Sequence, residues 1–265
     1  MRGNNLLDSM HRFLRQSIFA YRALLGWLRP RDYLIMKVLE PATQILFFSV
    51  LGAFAGQDPA YFALGNAVRA ASVGGLFGCA SVMLNERRSG TLQSVTASAT
   101  PLAQTFIARS ALQGLDGLTT TAVSFVLGVT LFGLDFSQVH WGWLIVALLV
   151  TSYAMSGLGI LVATSGLVGI DLNLTMNLAF STLIVLCGVN FPVEALPPAL
   201  QVVSRALPLT HGLAAVRSIF AGDLAGVPGK ILIEAGLGML YAAAGYLLFR
   251  VTEYRARVLG TLDLV

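Results

Sequence analysis

Charge is the scarcest property of this sequence. Asp, Glu, Lys and Arg make up 11% of its 265 residues, against 56% hydrophobic residues. A soluble globular domain carries roughly 25% charge. The mean hydropathy is +0.76, and a water-soluble fold of this size could not hide so much apolar surface, because much of any folded surface stays exposed. Cysteine is also scarce: Cys79 and Cys187 each lie inside an apolar run. Both are read as small core residues, with no disulfide framework. Catalytic signatures are missing too. No His-Glu-x-x-His or Gly-x-Ser-x-Gly occurs, and His11, His140 and His211 are scattered, with His11 expected on the opposite side from the other two. That pattern argues against a membrane enzyme. A phosphate-binding loop needs Gly-x-x-x-x-Gly-Lys-Ser/Thr. The nearest stretch, "GVPGKI", lacks the first glycine at that spacing and ends in Ile231. Metal-binding and nucleic-acid-binding patterns are absent as well, and the net charge of +4 is small.

Long apolar runs dominate instead. A membrane span needs about 20 mostly apolar residues. Six candidates stand out: roughly 33–55, 61–84, 106–132, 141–165, 171–191 and 230–250. The expected fold is an all-α integral membrane protein forming one transmembrane domain over 1–265. The length accommodates these spans and their connections and leaves no room for a soluble catalytic domain. No internal repeat is evident.

Lys and Arg set the orientation. Arg2, Arg12, Arg15, Arg22, Arg29 and Arg31 precede the first span; Arg87, Arg88 and Arg109 follow the second; Arg250, Arg255 and Arg257 lie in the tail. The connections near 56–60 and 133–140 carry no Lys or Arg. Both termini and the connection 85–105 are therefore expected in the cytoplasm, with 192–229 outside, in the inner (cytoplasmic) membrane. The N-terminus does not read as a signal peptide, having no long uncharged apolar core before a small-residue cleavage site. Residues 5–29 instead repeat apolar positions at helical spacing, with Asp8, Arg15, Arg22 and Arg29 seven apart on another face. This suits a helix lying in the membrane interface, its arginines near lipid headgroups.

A few polar residues interrupt the spans. Lys37 and Glu40 in "MKVLEPA" are neighbours on one helical face, read as a boundary ion pair. Arg69 falls in "GNAVRAASVGGLFG". An arginine at membrane depth is disfavoured in lipid and is placed toward protein or a wet cavity. Asp116, early in the third span, is a potential partner for Arg69 where span depths allow. Gly74 and Gly78 form a small-xxx-small pair suited to close helix approach. Between spans five and six, Val193, Leu196, Leu200, Val203 and Leu207 mark one apolar face; Pro208 breaks the segment; Leu209, Leu213, Val216 and Phe220 mark a second. Two short external amphipathic helices are expected there.

The densest internal charge cluster is "NERRSGTLQSV" at 85–95. With its continuation to Pro101 it resembles the Glu-Arg, Gly-Thr-Leu and downstream Pro pattern of the membrane subunit of type-2 ABC exporters. That group includes the daunorubicin-exporter and nodulation-factor-exporter permeases. "FPVEALPPALQVVSRALPLTHGLAAVR" resembles the same family's Phe-Pro, Leu-Pro, Leu-Pro-Leu and final Arg pattern, carried here by Phe191, Pro192, Glu194, Pro197, Pro208 and Arg217. Arg69 is a departure from that pattern. The resemblance implies that the connection after span two meets a cytoplasmic ATP-binding cassette ATPase subunit through Glu86, Arg87, Arg88, Gly90, Thr91 and Leu92. It implies that ATP and Mg belong to that partner, with no cofactor in this chain. It also implies pairing with a second permease copy, most simply as a homodimer, with a heterodimer as the alternative. The pathway would be formed chiefly by spans one, two and five, and the cargo would be amphipathic or lipid-like: a drug, a lipid-linked glycan or a peptide. The rival reading is an ion-coupled secondary transporter using Arg69 and Asp116, although such folds are usually built from repeats.

The charge asymmetry makes a direct prediction. A single cysteine placed at Glu194 should react with a membrane-impermeant thiol reagent in intact cells, and one at Ser89 should not. The reverse pattern contradicts the assigned orientation.

Overall fold

The computed structural model describes residues 30–90, 106–107, 110, 113–168 and 170–259. The expected interfacial helix at 5–29 and most of the connection 85–105, including Thr91 and Leu92, lie outside the described residues. The described chain is helical, with no strand among those residues. The helices are α1 (Pro30–Phe54), α2 (Pro59–Arg88), α3 (Gln113–Phe132), α4 (Trp141–Ala163), α5 (Leu172–Leu186), α6 (Pro198–Ala206), α7 (Thr210–Phe220) and α8 (Val227–Leu259). Short 3₁₀ turns at Thr164–Val168 and Val193–Ala195 precede α5 and α6.

Five helices, α1, α2, α3, α4 and α8, are long and apolar enough to cross a membrane. The expected fifth span differs. Its helix, α5, has 15 residues, about 22 Å at 1.5 Å per residue and short of a hydrocarbon core of about 30 Å. The cause is local. Asp171 caps the start, its carboxylate accepting the Asn173 and Leu174 amides at 2.8 and 3.2 Å. At the other end Cys187 closes the last turn, and Gly188 takes φ 79°, which ends the helix. The apolar run 171–191 therefore divides into a short helix and a non-helical turn.

The helix α2 is the centre of the bundle. It packs against α1, α3, α4 and α5, while α8 lies along α4 and α7 packs on both α4 and α8. Residues 62–72 are buried without a break. Lipid removes the usual hydrophobic drive for helix association, so close van der Waals fit must hold the helices together. Small residues supply that fit. A Cβ on Gly117 of α3 would lie 2.6 Å from the Ala71 carbonyl oxygen and 3.0 Å from Cα of Gly74. Gly75, next to Gly74, turns to α4, where a Cβ would lie 2.9 Å from that of Met155. Between α4 and α8, a Cβ on Gly238 would lie 2.6 Å from Cα of Ala154.

The outermost helix, α1, rests on this bundle through a narrow stripe. Pro41, Ile45, Ser49 and Gly52 are buried, while Leu39, Leu46, Phe47, Leu51 and Phe54 are exposed.

Two glycines of α8 separate packing from helix propensity. Gly236 has open space around it, whereas Gly238 abuts Ala154. Gly238→Leu should destabilise the purified protein by about 1–3 kcal/mol through overpacking, read as a fall in thermal midpoint in detergent. Gly236→Leu should leave the midpoint unchanged or higher. Equal effects at the two sites would contradict the α4–α8 seam.

Candidate functional site

Charges inside an apolar bundle must find partners, because lipid offers none. Two such groups link α1 to the bundle. Lys37 Nζ donates to Asp116 Oδ2 at 2.7 Å, to the Asp116 carbonyl at 2.8 Å, to Thr120 Oγ1 at 2.6 Å and to Thr119 Oγ1 at 3.1 Å. The Tyr33 hydroxyl donates to the second Asp116 oxygen. Four oxygens around an ammonium with three protons leave it saturated. One turn further along α1, Glu40 meets Arg69 of α2, with Arg69 Nη2 donating to Glu40 Oε1 at 3.1 Å. The Phe180 ring of α5 lies 5.4 Å from Arg69 Cζ, within cation–π range.

The partners thus differ from those expected on sequence spacing. Lys37 and Glu40 do not pair with each other; Lys37 turns toward α3 and Glu40 toward α2. Asp116 does not meet Arg69, because Lys37 and Tyr33 occupy its carboxylate. Arg69 does face protein, as the cost of lipid contact required, with its side chain 1% exposed. Arg69 and Asp116 therefore belong to separate clusters and not to one ion site.

The Glu40–Arg69 pair sits deep. Each residue lies ten positions from the start of its helix, about 15 Å along the axis. Glu40 is nevertheless 47% exposed, on the rim of α1 beside the exposed Thr43 and Phe47. A bare carboxylate against lipid at that depth costs about 2.5–3.5 kcal/mol or more. This face of α1 is therefore better suited to protein or water than to lipid.

At the opposite face of function lies the turn region 187–212, where non-helical backbone must be satisfied internally. Arg217 Nη2 donates to the Val189 carbonyl at 3.1 Å, and its guanidinium stacks 3.7 Å from the Tyr61 ring centroid. Asn66 Nδ2 donates to Asn190 Oδ1 at 2.9 Å. The end of α6 exposes carbonyls that side chains take up. Thr210 Oγ1 donates to Ser204 O, His211 Nε2 contacts Arg205 O, the Tyr241 hydroxyl donates to Ala206 O, and Cys187 Sγ contacts Pro208 O. Across from them, buried Glu234 of α8 accepts the Leu209 amide at 2.6 Å and the Gly212 amide at 3.0 Å. A carboxylate suits this position, the N-terminus of α7, where free amides and the helix dipole favour negative charge. Leu209 has φ 87°, strained for leucine, and is fully buried. The Glu234 clamp holds that turn. Of the two expected helices here, α7 buries Leu213 and Val216, with Leu209 buried just before it and Phe220 half-buried, while α6 leaves Leu200 and Val203 exposed. Phe191 is half-buried, Pro192, Glu194 and Pro197 are exposed, and Pro208 is buried in the turn.

The charge cluster after span two is partly helical. Asn85 to Arg88 form the last turn of α2, so the connection starts at Ser89 and not at residue 85. Basic residues at a helix C-terminus are favoured by its dipole. Glu86 is half-buried, Arg88 and Ser89 are exposed, and Gly90 takes φ 65°. The Arg87 side chain, Thr91 and Leu92 lie outside the described residues.

The family model described as ABC-2 type transporter matches residues 17–221, spanning both charge clusters and the turn region. The chain belongs to the ABC-2 type transporter family. It is a multi-pass membrane protein, the membrane permease component of a transporter whose partner is an ATP-binding cassette subunit. No curated protein matches the chain. No cluster of His, Cys, Asp and Glu able to hold a metal occurs among the described residues.

Two residues of this ABC-2 permease escape the motif reading. Glu40 looks like a boundary charge beside Lys37, and Glu234 stands alone in "GKILIEAGLG". The signal for both is an ionisable residue well inside an apolar run. Replacing Glu234 by Leu should leave two buried amides unpaired, at about 1–3 kcal/mol each. Glu234→Gln, which keeps one acceptor, should cost less. Thermal midpoints of both variants check the order; equal midpoints for Glu234→Leu and the unmodified protein would contradict the clamp.

Proposed function

We propose that this chain is the permease half of an ATP-driven exporter that moves an amphipathic or lipid-like molecule out across the cytoplasmic membrane, working as a pair of permeases with two ATPase subunits. The observation that carries this reading is the Glu40–Arg69 pair, a half-exposed charge at membrane depth in a member of the ABC-2 family. Lipid does not tolerate such a face, whereas a pathway between two permeases does.

ATP binding closes the paired ATPases. Closure displaces the connection beginning at Ser89 and the segment leading into α1, and so tilts α1 and α2 relative to α5. Arg69 touches both α1, through Glu40, and α5, through Phe180, so a shift between these helices changes its surroundings. Cargo biases the cycle only through unequal affinity for the two conformations. Glu86, Arg88 and Gly90 on the α2 end offer both charge signs and a turn for the ATPase contact.

Three measurements test the reading. The tagged chain, purified from its own cells, should bring down an ATPase, and vesicles holding the complex should accumulate an amphiphile only with ATP. Accumulation driven by an ion gradient without an ATPase would contradict it. Glu86→Lys should insert normally but lose ATPase association or transport-linked hydrolysis. Unchanged insertion, association and transport would remove Glu86 from the contact.

A further inference from the structure

The two charge clusters on α1 are built differently. Lys37 is saturated by four oxygens within 3.1 Å. Arg69 carries five N–H donors, yet among the described residues it makes one hydrogen bond, to a single oxygen of Glu40 at 3.1 Å. That is longer than the about 2.7–2.9 Å usual for a charge-assisted bond. Its Nε is buried and has no hydrogen-bond partner. Nε and Nη2 form one edge of the guanidinium, the edge that a carboxylate or phosphate bridges with two oxygens. Here Glu40 gives one oxygen to Nη2 and none to Nε. Phe180 lies against a face of the group, and the buried Nε–Nη2 edge opens to a headgroup only when Glu40 moves.

We infer that Arg69 is the headgroup-recognition residue for an anionic amphiphile, its Nε–Nη2 edge taking two oxygens of a phosphate or carboxylate, and that Glu40 is the resident counter-ion that the headgroup displaces. The inference rests on the exporter reading and narrows its cargo to one charge class. Exchange of one anion for another leaves the buried arginine neutralised throughout, which avoids exposing a lone cation at membrane depth. Glu40 is half-exposed, so its carboxylate is the accessible member of the pair. An apolar tail finds its match along the same rim of α1, where Phe47, Leu51 and Phe54 are exposed.

The test uses the full-length chain in nanodiscs of zwitterionic phosphatidylcholine, so that no anionic lipid competes. Binding is measured for dodecyl phosphate, neutral dodecyl glucoside and inorganic phosphate. Dodecyl phosphate should bind at least about tenfold tighter than the glucoside, as two charged hydrogen bonds imply, and tighter than inorganic phosphate. Arg69→Lys keeps the charge but loses the planar edge, and should reduce the preference over the glucoside to below about threefold. Glu40→Gln keeps an acceptor for Arg69 but removes the competing charge, and should tighten dodecyl phosphate binding. Equal affinity for the two amphiphiles, an unchanged preference in Arg69→Lys, or weaker binding in Glu40→Gln each overturns the assignment. Inorganic phosphate binding as tightly as dodecyl phosphate overturns it too, in favour of a free anion. Should Arg69→Lys fail to fold, the ligand comparison and Glu40→Gln decide the matter. Loss of the preference in a complex that still transports with ATP removes only the headgroup role. Retained preference in a chain with no ATPase partner removes only the exporter reading.

Discussion

The attachment of α1 by charge, and not by area, is the constraint on which the rest depends. This helix buries a thin stripe of Pro41, Ile45, Ser49 and Gly52 and leaves most of its apolar surface uncovered. In lipid, uncovered apolar surface carries no penalty, so apolar burial does little to fix the position of α1. What fixes it, beside the close contact of Gly52 with the Phe62 ring, are Lys37 on Asp116 and Glu40 on Arg69. Directional contacts of this kind define the register of α1 against α2 and α3. The Lys37 site is saturated, whereas the Arg69 site leaves a buried Nε without a partner.

The other end of the bundle shows the opposite design. Between Leu186 and Thr210 the backbone leaves regular helix repeatedly, and side chains take up several of the freed groups. Arg217 holds Val189, Glu234 holds Leu209 and Gly212, and Thr210, His211 and Tyr241 hold the end of α6. Polar side chains that look like pathway residues in sequence act here as supports for irregular backbone. Arg217 is the clearest case: its guanidinium serves the Val189 carbonyl and the Tyr61 ring, although its buried Nε, like that of Arg69, has no hydrogen-bond partner among the described residues.

Much of the fold was legible because the bilayer imposes a length on apolar runs, and five of the long runs became long helices. The fifth expected span was misjudged in extent because hydropathy continues through Cys187, Val189 and Phe191, whereas the backbone stops at a glycine with positive φ. The burial of Arg69 was legible from cost alone. Its partner was not: Asp116 was the obvious acid on depth, and only the rotation of α1 shows that Asp116 serves Lys37 and Glu40 serves Arg69. Spacing along one helix placed Lys37 and Glu40 together, but each prefers a better-buried partner on a different neighbour. Glu234 needed the tertiary structure, since its amide partners lie 22 and 25 residues away. Charge makes the "NERR" cluster look like connection, whereas its backbone completes the last turn of α2.

The most direct test of charge-based attachment is a double-mutant cycle on the anchor. Lys37→Met and Asp116→Leu, alone and together, are compared by thermal unfolding of the full-length chain in a neutral detergent. If the pair holds α1, each single change strands a charge and destabilises, and the double change recovers much of the loss. The coupling should be about 0.5–3 kcal/mol. Strictly additive losses, with the double variant less stable than either single one, would contradict the claim that this charge pair fixes α1 to the bundle.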